Sequence, residues 1–124
     1  MTPAKRVIIA DDEQDYTLLM RRALASEDVE VVECHRGSEV FRRILSEKFD
    51  LAILDYFLPD IKGDTICAEL REDGQHKDLP ILLVTGYHNM SEELLVSYGA
   101  TEVLYKPFSI EEFRERSWRL LGLA

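Results

Sequence analysis

The sequence predicts an α/β domain built on a parallel sheet with helices on both faces. Three observations carry this. Five short β-branched apolar runs recur along the chain, an amphipathic stretch follows each, and the first, third and fourth runs are apolar almost throughout. Strands buried on both faces read as near-continuous apolar runs, and strands alternating with helical patterns favour parallel crossovers. A chain of 124 residues suffices for one core without disulfides and fits one domain, taken as residues 1–124.

The elements follow in order. Residues 6–10 (RVIIA) form the first strand, and Tyr16, Leu19, Met20 and Ala23 then share one helical face. Residues 29–34 (VEVVEC) alternate apolar positions with Glu30 and Glu33, which suits an edge strand, and Val40, Phe41, Ile44 and Leu45 share the next helical face. Residues 51–54 (LAIL) form the third strand, followed after Gly63 and Asp64 by a helix carrying Ile66, Cys67 and Leu70. Residues 81–84 (ILLV) form the fourth; Ser91 caps a helix through Leu94, Leu95 and Tyr98 that Gly99 ends. Residues 103–105 (VLY) form the fifth. Ser109 then caps the last helix, with Glu112 three residues on in a capping-box pattern and Ile110, Phe113, Leu120 and Leu121 facing inward. Trp118 falls on the flank of that face.

Composition removes several function classes. The net charge of −9 repels phosphate backbones, so direct nucleic-acid binding is not expected. No apolar run approaches the length of a membrane span, and residues 1–6 lack the apolar segment of a signal peptide, so the expected location is cytoplasmic. Cys34 and Cys67 form no CxxC pair and read as buried thiols; His35, His76 and His88 show no zinc-ligand spacing.

Ligands of open parallel sheets bind beyond the carboxyl ends of the strands. Asp11, Asp12 and Glu13 follow the first strand, Asp55 the third, Thr85 the fourth and Lys106 the fifth. One sheet edge thus gathers carboxylates, a hydroxyl and an ammonium. That set suits phosphoryl transfer: oxygen ligands for Mg²⁺, a carboxylate nucleophile, and donors for phosphoryl oxygens. Each piece alone has a plainer reading. Asp11, Asp12 and Asp15 suit capping of the first helix, Asp55 a turn toward Leu58-Pro59-Asp60, Thr85-Gly86 a loop, and Lys106 a solvated charge. Joint placement after four strands is what favours the chemical reading.

The set Asp11-Asp12, Asp55-Tyr56-Phe57-Leu58-Pro59 with Gly63, Thr85-Gly86 and Lys106-Pro107-Phe108 resembles the receiver signature of two-component response regulators, of the single-domain chemotaxis-regulator type. The resemblance covers nearly the whole chain. It implies a flavodoxin-like, doubly wound five-stranded parallel sheet of order 2-1-3-4-5 with five helices. It implies that Asp55 accepts a phosphoryl group from a histidine kinase or phosphotransfer protein. It implies Mg²⁺ held by Asp11, Asp12 and Asp55 with the Phe57 carbonyl, and phosphoryl oxygens gripped by Thr85 and Lys106. It further implies a cis Lys106-Pro107 bond, a downstream output protein or domain, and catalysis limited to the chain's own phosphorylation and dephosphorylation. The sequence leaves open whether the active form is a homodimer, and whether the chain stands alone or belongs to a longer protein.

One departure stands out. Family members often carry Tyr or Phe three residues before the lysine; here that position is Val103, and Tyr105 shares its side of the strand by period-two alternation. Phe57 and Tyr87 read either as loop packing or as a hydrophobic rim. Two enzyme or cofactor classes are disfavoured: a dinucleotide or flavin site needs a phosphate loop where this chain has Asp-Asp-Glu-Gln-Asp, and a haloacid-dehalogenase-type phosphatase needs Asp where this chain has Phe57. The remaining alternative is a pseudo-receiver acting as a phosphorylation-independent binding module.

Overall fold

The structure, a computed structural model, describes residues 4–123. The readings that touch Met1, Thr2, Pro3 and Ala124 lie outside them. The elements alternate in chain order: β1 (Lys5–Ala10), α1 (Gln14–Leu24), β2 (Val29–Cys34), α2 (Gly37–Ser46), β3 (Leu51–Asp55), α3 (Gly63–Glu72), β4 (Ile81–Thr85), α4 (Glu92–Ser97), β5 (Glu102–Tyr105) and α5 (Ile110–Leu121). The five strands form one sheet of order β2-β1-β3-β4-β5 with every pair parallel. The flavodoxin-like order 2-1-3-4-5 is therefore observed, with β2 at an edge as its glutamates require.

Alternation along the strands divides the core in two. Ile8, Ala52, Leu54, Ile81, Leu83 and Val103 point to the face covered by α2, α3 and α4, where Val40, Ile44, Ile66, Leu70 and Leu95 meet them. Val7, Ile9, Leu51, Ile53, Leu82, Val84 and Leu104 point to the face covered by α1 and α5. The β3 and β4 residues are all buried, as central strands must be. Each buried Leu or Ile contributes about 1.5–3 kcal/mol relative to exposure.

Some expectations need correction. Leu45, expected on the inner face of α2, is exposed, because it lies about 100° around the helix from the buried Ile44 and so points off the face that Val40 and Ile44 turn to the sheet. Leu94 and Tyr98 are also exposed, and Leu95 alone is buried in α4, a helix of only six residues that presents one side to the sheet. Ser109 does cap α5 through the Glu112 N–H, but the Glu112 carboxylate faces Arg116 at 3.4 Å rather than closing the box. Ser91 caps α4 through the Leu94 N–H. Gly99, at φ 121°, ends the turn after α4 where an added Cβ would press on Arg71 and the Cys67 carbonyl. Cys34 and Cys67 are free and buried. Among the described residues no helix is long and apolar enough to cross a membrane.

Candidate functional site

The strand ends place the polar groups. Asp11 follows β1 directly and is completely buried; its Oδ1 accepts the Glu13 N–H at 2.9 Å, turning the chain into α1. Thr17 reinforces the turn by donating its hydroxyl to the Asp11 carbonyl at 3.2 Å. α1 begins at Gln14, and its N-cap residue Glu13 makes no side-chain cap, so the capping reading of Asp11, Asp12 and Asp15 does not hold for the helix itself. Asp55 and Thr85 are the last residues of β3 and β4, and both are buried. Lys106 follows β5, its backbone N–H bonded to the Thr85 carbonyl at 2.8 Å, and the Lys106-Pro107 bond is cis as expected.

After Asp55 the chain bends back sharply. The Gly63 N–H donates to the Tyr56 carbonyl at 2.7 Å. A Cβ at Gly63 would lie 3.0 Å from Tyr56 Cα and 3.1 Å from the Asp55 carbonyl oxygen, so glycine lets α3 start against the strand end. Asp60 secures this loop from the other side. It accepts the Gly37 and Ser38 N–H groups at 2.7 and 3.0 Å and so caps α2, which has no cap of its own.

The result is an open cleft of about 390 Å³ lined by Asp12, Glu13, Asp55, Phe57, Gly86, Tyr87 and Lys106. One carboxylate oxygen from each of Asp11, Asp12 and Asp55 lies within 4.8 Å of the others. Lys106 Nζ donates to Asp11 at 3.0 Å and Glu13 at 2.9 Å, with Asp55 Oδ1 at 3.7 Å. Thr85 Oγ1 accepts the Tyr87 N–H at 2.9 Å, which leaves its own proton free to donate. A larger groove of about 550 Å³ opens at the opposite end of the sheet between the end of α2 and the α3–β4 loop, away from this set. Chemistry rather than size distinguishes the site.

Four carboxylates face one ammonium here, and the ionisations respond. Burial and then the Asp11 charge push Asp55 up to about 7, against the opposing pull of Lys106. Burial works against the Lys106 charge, but its hydrogen bonds to Glu13 and Asp11 and the nearby Asp55 outweigh it, so its pKa is raised. The residues fit a small hard cation: the donors are all oxygens, three converge, and the repulsion raising Asp55 is what a cation relieves.

Phe57 and Tyr87 meet edge to face over the cleft, ring centroids 5.7 Å apart, and both remain exposed. They form a rim as well as packing on each other. Val103 and Tyr105 share one side of β5, as alternation predicted. The Tyr105 hydroxyl donates to the Met90 carbonyl at 2.7 Å, and its ring lies 5.2 Å from His88, whose Nε2 is 2.9 Å from the Lys106 carbonyl.

Two residues gained roles that sequence reasoning did not assign. Glu13 reads as part of an acidic run and Tyr16 as core, yet Glu13 bonds Lys106 and the Tyr16 ring lies 4.1 Å from its Nζ. Their spacing of three residues at the start of α1 was the available signal, since it puts both on one helical face.

The sequence profile of the response regulator receiver domain matches residues 7–117. The chain is similar to the response regulator MprA of Mycobacterium ulcerans, with 34% identity over 117 residues that cover 94% of this chain and 50% of that one. It thus spans about half the length of the curated relatives it matches. Among solved structures it is similar to the Thermotoga maritima response regulator TrrA in complex with Mg²⁺-BeF, at 31% identity and TM-score 0.82 over 94% of this chain and 98% of that one. It is also similar to the chemotaxis response regulator CheY4 of Vibrio cholerae, at 25% identity and TM-score 0.86 over 94% and 98%.

Proposed function

The chain belongs to the response-regulator receiver family of two-component signalling, and on that premise we propose that it accepts a phosphoryl group on Asp55 and uses it to switch partner binding. The observation that carries this reading is the placement of Asp11, Asp12, Asp55, Thr85 and Lys106 at four strand ends on one sheet edge, with the three aspartates and Lys106 in mutual reach. Asp11, Asp12 and Asp55, with the Phe57 carbonyl, would hold Mg²⁺. When bound, that ion neutralises the clustered carboxylates and the charge on the phosphoryl oxygens.

The rest of the chemistry belongs to the chain. An Asp55 carboxylate oxygen bonds to phosphorus as the N–P bond of a phosphohistidine donor breaks, and the leaving imidazole nitrogen keeps the electron pair. The Thr85 hydroxyl, whose proton is uncommitted, and the Lys106 ammonium donate to the phosphoryl oxygens. Tyr105, tied to the Met90 carbonyl, and His88, tied to the Lys106 carbonyl, link this end of β5 to the β4–α4 loop, so a shift of Thr85 is felt along that segment.

The whole of residues 1–124 acts as one receiver domain. It works on itself rather than on a separate substrate, in the cytoplasm. Its donor is a histidine kinase or histidine phosphotransfer protein, and its phosphorylated form engages a downstream output protein or domain. The charge of −9 supports protein rather than nucleic-acid contacts. Acetyl phosphate with Mg²⁺ is expected to give a single base-labile adduct by intact mass, lost in Asp55→Asn and on chelation of the metal. An undiminished adduct in Asp55→Asn overturns the assignment, and no adduct on the parent chain points to a pseudo-receiver.

A further inference from the structure

Resting on the phosphoacceptor reading above, we infer that Glu13 and Tyr16 are positioning residues that hold the Lys106 ammonium off Asp55 and keep one of its N–H donors free for a phosphoryl oxygen. A lysine side chain is long and flexible, and its ammonium carries three donors that can turn to any of several acceptors. Here two donors are committed, to Asp11 at 3.0 Å and Glu13 at 2.9 Å. Asp55 Oδ1 at 3.7 Å is beyond hydrogen-bond reach, so the third donor is uncommitted on the side of the nucleophile.

The Tyr16 ring closes the remaining side. Its centroid lies 4.1 Å from Nζ, well inside the range of cation–π attraction. The ring is backed by Phe108 at 5.6 Å, which stacks on the buried Phe113 of α5 at 5.5 Å. Glu13 is the N-cap residue of α1 and Tyr16 stands on its first turn, and the start of this helix is fixed by Asp11 and Thr17. The clamp is therefore built on a rigid base. Glu13 itself is largely exposed, its side chain at 57%, so its ion pair adds little to folding stability; its effect is on where the ammonium sits.

Without Glu13, Lys106 closes on Asp55 and occupies the oxygen that the incoming phosphorus needs. The expected loss is about tenfold in the rate of Asp55 phosphorylation by acetyl phosphate, because the displacement is below an ångström. Glu13→Gln keeps an acceptor oxygen and Tyr16→Phe keeps the ring, so both retain most of the parent rate. Glu13→Ala and Tyr16→Leu do not.

The experiment pairs that rate, followed by intact mass at saturating Mg²⁺, with the ¹H–¹⁵N ammonium resonance of Lys106 in ¹⁵N-lysine-labelled protein. Thermal melts establish that each variant is folded. A protected ammonium signal is expected in the parent, Glu13→Gln and Tyr16→Phe, and a shifted or exchange-broadened one in Glu13→Ala and Tyr16→Leu, alongside the slower rates. A parent-like signal or an unchanged rate in Glu13→Ala overturns the inference. So does a Glu13→Gln variant as slow as Glu13→Ala, since charge alone would then explain both. Failure of the parent chain to take up a phosphoryl group defeats the phosphoacceptor reading instead, while the ammonium signal still reports whether Glu13 and Tyr16 hold the lysine.

Discussion

Replacing Asp55 with asparagine is expected to stabilise the cation-free protein, increasingly so as pH rises. The side chain is 5% exposed and is pushed up to about 7 by burial and by Asp11, against an ordinary value of 3.8. Between those two values the folded chain binds more protons than the unfolded one, so Asp55 costs stability progressively as pH rises through the window. The full separation corresponds to about 4 kcal/mol, and solvent relaxation in an open cleft trims it to about 2–4 kcal/mol. Asparagine mimics the neutral acid and escapes this cost. Urea unfolding in a chelator should therefore show nearly equal stability of the two proteins at about pH 4 and the full advantage of Asp55→Asn at about pH 8. Added Mg²⁺ should stabilise the parent far more than the variant. A variant less stable than the parent at about pH 8, or a difference independent of pH, would refute the electrostatic account of the cleft.

Ser117 is completely buried in α5 and its hydroxyl has no hydrogen-bond partner among the described residues, so Ser117→Ala should raise unfolding stability by about 1 kcal/mol; a loss in urea titration would mean the hydroxyl is satisfied. Asp60→Ala removes the cap of α2 and should cost about 1 kcal/mol at neutral pH. Burial nudges the Asp60 pKa upward, but the Ser38 and Gly37 N–H groups prevail and lower it to about 2; its contribution is thus present above the ordinary 3.8 and lost as pH falls toward 2, which an acid series on both proteins would detect. Phe57 and Tyr87 form a bulky rim, and neither side chain is itself a carboxylate or amide that would place a water in line with phosphorus. Phe57→Asn and Tyr87→Glu should each shorten the lifetime of the Asp55 phosphate, by on the order of tenfold or more together. Equal decay rates would reduce the rim to packing, and slower decay in Tyr87→Phe would assign its hydroxyl to water positioning.

Period and order were legible in the chain itself. The runs of β1, β3 and β4 are apolar in their interiors and polar only at their ends, which marks them as central, and the alternating glutamates of β2 mark it as an edge strand. Because every strand runs the same way, the residue after each run falls on one edge, which is why Asp11, Asp55, Thr85 and Lys106 could be grouped before any coordinates. The exposure of Leu45 and Leu94 was not legible, since both are apolar in a helical pattern beside the buried Ile44 and Leu95, and only the rotation at which each helix docks decides which is covered. Nor was the partner of Lys106. Glu13 and Tyr16 lie 93 and 90 residues away from it in the chain. Only the packing of α1 against α5, which follows Lys106 in the chain, brings a carboxylate and an aromatic face to the same ammonium. Strand periodicity is a property of neighbours in sequence, whereas the choice among several acceptors for one flexible cation is made by distances that exist only once the helices have docked.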